Sequence, residues 1–167
     1  MNYAKIKPVD VANGEGVRVS VFVSGCPHHC KGCFNQELWN YDAGQEFTYN
    51  TVVDIIKLCS KSYITGLSLL GGEPLDPNNL QNMTLLAYKF KQIFPNKTIW
   101  CYTGYRFEEV SHLNIMKYLD VVVDGKFVQC LKDPRLKFRG SSNQRIIDVK
   151  KTLGSGIITL RGDLHDQ

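Results

Sequence analysis

Three cysteines, Cys26, Cys30 and Cys33, fall within eight positions of one stretch, SGCPHHCKGCFN (residues 24–35). Thiolates are soft metal ligands, so the spacing C-x3-C-x2-C gives one loop three ligands for one small metal centre. A structural zinc site takes four ligands, commonly as two separated pairs. His28 and His29 lie inside the loop, but no second pair follows it. The C-x-x-C pair formed by Cys30 and Cys33 alone resembles a thioredoxin-type dithiol, which leaves Cys26 without a role. Two adjacent histidines in a loop read most simply as exposed polar residues. A [4Fe–4S] cluster uses all three cysteines. Such clusters are normally held by four, so three leave one iron open, and an open metal position is where a small ligand binds and chemistry starts.

Other short motifs could supply the ligand's contacts. They are GGEP (Gly71–Pro74), TGY (Thr103–Tyr105) and DGK beginning at Asp124, with GSSNQR (Gly140–Arg145) following late in the chain. Taken alone, GGEP is a strand-ending turn and SSNQR is turn chemistry around a capping serine. NGEGVR (Asn13–Arg18) reads as a flexible turn and not as a phosphate loop, because no helix-plus-lysine pattern follows it.

These motifs need a frame, and the hydrophobic periodicity supplies one. Val17 to Ser24 alternates, which predicts a strand. TVVDIIKLCSKS places Val52, Ile55, Ile56 and Cys59 at helical spacing, with Thr51 and Asp54 as a capping pair. Gly66 to Leu70 is a short buried strand. A second helix runs from about Asn79 to Phe94 and is stopped by Pro95. TIWCYT is a third strand, a third helix covers roughly Phe107 to Leu119, and Asp120 to Asp124 is a fourth strand. Beyond Gly125 only RIIDV and GIITL read as strands, and RGDLHDQ reads as a loose tail. Alternation of strand and helix predicts right-handed βαβ units, a mostly parallel sheet and an α/β fold. Ligands of such sheets sit at the carboxyl ends of the strands, where the cysteine loop, GGEP, TGY and DGK all fall.

The chain has 167 residues, enough for one domain with its own core. No apolar run approaches the roughly 20 residues of a membrane span, and MNYAKIKPVD lacks an apolar signal core. Cys59, Cys101 and Cys130 are scattered, and Cys59 and Cys101 read as small buried hydrophobes. A cytoplasmic protein with one metal cluster fits better than a disulfide scaffold. The net charge of +4 is unevenly spread: residues 126–151 hold eight Lys or Arg against Asp133 and Asp148. That excess is either a solvated face or a docking surface for an anionic partner.

C-x3-C-x2-C followed by the aromatic Phe34 resembles the signature of the radical S-adenosylmethionine (SAM) enzymes, and GGEP resembles that family's SAM amino-group motif. FVSGCPHHCKGCFN, the compact length and GSSNQR are similar to the glycyl radical enzyme activases within it, on the side of anaerobic ribonucleotide reduction. The resemblance implies a partial, open (β/α) barrel of the radical SAM type. A closed barrel takes about 250 residues. One domain spans 1–167, with an irregular basic part from about 125.

It further implies one [4Fe–4S] cluster on Cys26, Cys30 and Cys33, with SAM on the free iron. Reductive cleavage of SAM gives methionine and a 5′-deoxyadenosyl radical, which takes a hydrogen from a glycine of the partner. The cofactors carry this chemistry, and no side chain beyond the cluster ligands is expected to be catalytic. Gly32 and Phe34 are expected on the adenine side, Gly71 and Gly72 against the methionine amino group, and Glu73 as its acceptor and countercharge. Thr103 and Asp124 are expected around SAM and a nearby cation, although Tyr102 stands where such relatives carry an acidic residue. NGEGVR departs from the family's Gly-Pro-Gly at Glu15. The implied partners are the large subunit of an anaerobic (class III) ribonucleoside-triphosphate reductase and an external low-potential electron donor such as flavodoxin, with no nucleic acid and no membrane. Two alternatives are an activase of the pyruvate formate-lyase type and a zinc-stabilised nucleic-acid-binding module using the basic C-terminal third.

Overall fold

In the computed structural model, which describes residues 1–165, seven strands form one open sheet. They are β1 (Asn2–Asp10), β2 (Arg18–Val23), β3 (Gln45–Glu46), β4 (Gly66–Gly71), β5 (Thr98–Tyr102), β6 (Val121–Asp124) and β7 (Arg145–Asp148). Their spatial order is β3-β1-β2-β4-β5-β6-β7. The middle four, β2, β4, β5 and β6, are parallel neighbours, while β1, β3 and β7 add antiparallel at the flanks. The crossovers carry helices α1 (Tyr49–Cys59), α2 (Pro77–Ile93) and the short α3 (Phe107–Val110), and α4 (Val149–Ser155) and α5 (Gly162–His165) close the chain. Among the described residues no helix is long and apolar enough to cross a membrane.

The period of two along each strand sorts the sheet into two faces. Val19, Val21, Val23, Leu67, Leu69, Ile99, Cys101, Val122 and Ile147 pack with the helices in the main core. The alternate residues, Phe22, Leu70, Trp100, Val121, Val123 and Ile146, form two smaller clusters on the other face, and Tyr102 bridges them. That second face carries the cleft described below.

Arg18 shows what holds NGEGVR. Its side chain is 1% exposed and donates to Ser68 Oγ, Thr98 Oγ1 and the carbonyls of Glu15, Leu67 and Thr98 at 2.8–3.0 Å. The turn is therefore a locked corner rather than a flexible one. Burial pulls the guanidinium down to about 10, and it stays charged at neutral pH. Arg18→Met keeps the stem but strands five acceptor contacts. We expect it to lower stability by about 3 kcal/mol, and an unchanged urea midpoint would contradict that role.

The structure adds β1, a strand that the sequence did not announce, and differs from four local expectations. The first strand, β1, has no clean alternation: it bulges between Tyr3 and Lys5 and between Lys7 and Asp10, and Pro8 interrupts its donors. The start of α1 lies at Thr48, whose hydroxyl accepts from Thr51 N; Thr51 is the third helical residue and not the first, because Tyr49 and Asn50 precede the apolar pattern. The third helix breaks after Val110 and resumes as a 3-10 turn over Asn114–Lys117. At 3.6 residues per turn its apolar residues would point all round a continuous axis, and the break lets Phe107, Val110, Ile115 and Met116 all reach the core. GIITL contributes one bridge, Ile147 to Leu160, and leaves Ile157 71% exposed. The expected tail is α5 as far as His165, with Leu164 buried; its last two residues lie outside the described residues.

Candidate metal centre and cofactor cleft

The carboxyl ends of β2, β4, β5 and β6 open onto one cavity of about 390 Å³, within the usual 300–1,000 Å³ of small-molecule sites. Cys26, Cys30, Cys33 and Phe34 line one side of it, Gly71, Gly72 and Thr103 the floor, and Phe127, Gly140 and Gln144 the wall formed by the loop after β6.

Each lining group has a local cause. Gly25 N donates to Leu38 O at 2.8 Å and Cys26 N to Trp39 O at 3.3 Å, which anchors the first cysteine at the end of β2. Cys33 N closes a turn on Cys30 O, and Asn35 N donates to Cys33 Sγ at 3.4 Å. Cys26 is buried, and Cys30 and Cys33 are half-buried. Burial pushes the Cys26 thiol up to about 11, Glu73's charge adding to the rise, and burial raises Cys30 as well. Metal uptake by these thiols therefore releases protons.

Gly71 has a left-handed φ of 108°, and a Cβ on Gly72 would stand 2.4 Å from Gly25 O. The pair is glycine because the strand end presses on the base of the cysteine loop, whatever binds above it. Gly72→Val should then disturb the loop as well as the cavity. The affinity for SAM, the ligand the resemblance implies, is expected to fall about tenfold or more, and iron content to fall with it. Full iron loading in this variant would show that the loop absorbs the clash.

Glu73 does not face the cavity. Its carboxylate is 1% exposed and accepts from His28 Nε2 (2.7 Å), Thr103 Oγ1 (2.9 and 3.0 Å), Gly104 N (2.8 Å) and Leu75 N (3.0 Å). Asn79 Nδ2 then joins Glu73 O to Ser24 O. Asp124 is likewise spent inside the fold, accepting from Phe107 N at 2.7 Å and from Arg145 at 2.6 and 3.0 Å. Asp124 does not line the cavity. Gly32 lies behind the lining, against the Gln129 side chain, while Phe34 stands at the mouth, 61% exposed, 5.1 Å from the Phe127 ring and under Lys132.

Sequence reasoning missed three residues. His28 is no exposed loop polar, since its side chain is 6% exposed; its bond to Glu73 spans 45 positions, beyond any local pattern. Gln144 accepts from Gly140 N and Ser141 N and donates to Gly125 O, which turns GSSNQR into the staple of the cleft wall. Asn79 gave no signal inside its helix.

The donor set is three thiolates of one loop, the ligands that iron–sulfur clusters take, and His28, committed to Glu73, is not offered to a metal as a fourth. The cavity also fits a polar ligand: Trp39 Nε1, the Tyr102 hydroxyl and Arg139 Nε are buried without a partner among the described residues, and all three side chains line it. Such orphans cost about 1–3 kcal/mol each.

Comparison with known proteins agrees. Residues 12–147 match the family described as a 4Fe-4S single cluster domain. The anaerobic ribonucleoside-triphosphate reductase-activating protein of Enterobacteria phage T4 is 49% identical over 146 residues, 87% of this chain and 93% of the relative. The proteins of the same name from Escherichia coli (strain K12) and Vibrio cholerae serotype O1 are 44% and 45% identical over 148 and 150 residues. Those alignments cover 86% and 87% of this chain, and 96% and 97% of the relatives.

Proposed function

The chain belongs to the family of anaerobic ribonucleoside-triphosphate reductase-activating proteins and contains a 4Fe-4S single cluster domain; from that premise we propose that it is a radical SAM enzyme that forms the glycyl radical on the large subunit of an anaerobic (class III) ribonucleoside-triphosphate reductase. The observation that carries this reading is the meeting of Cys26, Cys30 and Cys33 with Gly71 and Gly72 on one cavity at the strand ends. When bound, a reduced [4Fe–4S] cluster supplies the electron that splits SAM to methionine and the 5′-deoxyadenosyl radical, which takes hydrogen from the reductase's glycine.

The chain's own residues bind, orient and shield. Cys26, Cys30 and Cys33 hold three irons. Gly71 and Gly72 offer backbone to the methionine end of SAM, with Thr103 beside them. Phe34 flanks the adenine. Glu73, Gly32 and Asp124 act at one remove, by fixing the loops that bear the lining residues. The loop after β6 covers the open face of the sheet and keeps water from a radical that would attack almost any C–H bond.

Four parallel strands with helical crossovers and antiparallel flanks support a partial (β/α) barrel of the radical SAM type, open where a loop of another protein enters. A low-potential donor such as flavodoxin supplies the electron from outside, and the enzyme works in the cytoplasm. Anaerobic reconstitution with iron and sulfide, followed by SAM cleavage with and without reductase, tests the reading. The expected result is a brown protein that releases methionine and yields a glycyl radical only with the reductase. A colourless, zinc-loaded protein overturns it.

A further inference from the structure

We propose that His28 is a positioning residue: its ring locks the three-cysteine loop to the GGEP and TGY loops and so sets the ligands against the rest of the cleft. The inference rests on the cluster reading above for what the loop carries; the lock itself belongs to the chain's own atoms.

His28 lies between two differently held parts of the loop. Cys26 is anchored to the 3-10 turn Gln36–Trp39, with Gly25 N donating to Leu38 O and Cys26 N to Trp39 O, and Cys30–Cys33 is a turn closed on itself. The intervening side chain crosses the cleft wall and puts Nε2 2.7 Å from Glu73 Oε1. The carboxylate's other partners are an O–H and two backbone N–H groups, all donors, which assigns the Nε2 proton to His28 as a fourth donor.

The ring also fills space. A Cβ on Gly104 would come within 2.4 Å of His28 Cδ2, so the glycine of TGY is the seat of this ring. Tyr105 meets its edge at 4.6 Å and 78°. Directly after it, His29 takes a left-handed φ of 49°, which a non-glycine residue holds only when its surroundings enforce it. His29 stacks on Trp39 at 4.4 Å and 7°, so the reversal is pinned on both sides. One carboxylate thus ties three loops that come from the ends of three strands. Removing the imidazole leaves a buried oxygen one donor short and a void above Gly104.

Partners that orient metal ligands from behind typically matter by about 10–100-fold in metal affinity or activity. We expect His28→Ala to speed chelator extraction of iron, and to weaken SAM binding to the anaerobic holoprotein, by about tenfold or more. His28→Gln, which retains a donor, should recover much of both, and Lys31→Ala in the same loop should change neither. In the metal-free chain, His28→Ala should raise amide exchange at Gly104 and across residues 27–33 while β2 and β4 keep their protection. Gly104→Ala, which pushes on the ring from below, should reproduce that exchange pattern if His28→Ala folds poorly. Wild-type exchange in both variants overturns the lock, as does a uniform rise through the sheet. If the wild-type chain itself takes up no iron, the cluster reading fails, while the exchange comparison still decides the role of His28.

Discussion

Cys26→Ala, Cys30→Ala and Cys33→Ala are each expected to lose the cluster and all SAM cleavage, whereas Cys59→Ala, Cys101→Ala and Cys130→Ala keep both. The contrast follows from position. The first three line one cavity. Cys59 and Cys101 are fully buried in the main core, and burial drives the Cys59 thiol up to about 12 and Cys101 well above its ordinary value. Both behave as small apolar side chains, and truncation costs about 1 kcal/mol. Cys130 is exposed, outside the cavity lining. On the proposed reading the cluster is held by three thiolates and its fourth iron takes SAM, so none of the three is to spare. Iron content, visible absorption and methionine release from each variant check the assignment. It fails if a scattered cysteine proves necessary for iron while one of the three does not.

The parallel middle of the sheet was legible because its strands are short and largely apolar and alternate with helices α1 and α2, whose apolar residues recur at 3.6-residue spacing. Their carboxyl ends then fixed where the motifs meet. The N-terminal strand was not legible, since its bulges and Pro8 erase the alternation, nor was the break in the third helix, which is decided by the core it packs against. At the site, the cysteines carry their meaning in their spacing, while Glu73 illustrates the limit of a local motif. GGEP marks where the carboxylate is, but only the fold shows it turned inward to His28, Thr103 and Gly104. Asp124 is similar: its partner Arg145 is 21 positions away on an antiparallel neighbour.

Reversing Lys126, Arg135 and Lys137 together to Glu should slow association with the reductase by about 10–100-fold at low salt. The basic stretch is not a uniform charged face. Arg145 is paired with Asp124 and Glu108, Lys150 with Asp120, and Arg135 with Asp133 at the surface. Lys132 lies over the Phe34 ring at the mouth, and Arg139 donates to the carbonyls of Ser142 and Gln144. Lys132 and Arg139 line the cleft and Arg145 is held by Asp124 beside it, so all three are left untouched. Lys126, Arg135 and Lys137 are exposed on the loop that walls the cleft, where, on the proposed reading, the reductase passes to bring its glycine to SAM. Each reversal moves the net charge by two units, so the chain's +4 becomes −2. Single exposed ion pairs contribute little, whereas a summed field steers encounter and is screened by salt. The association rate should therefore drop and lose most of its salt dependence, with the dissociation rate nearly unchanged. SAM cleavage driven by an artificial reductant in the absence of reductase should survive, because no cleft residue is altered, while the glycyl radical yield at limiting reductase falls. Identical association rates and salt responses in variant and wild type would make this surface a solvated face and place the reductase's approach elsewhere on the cleft rim.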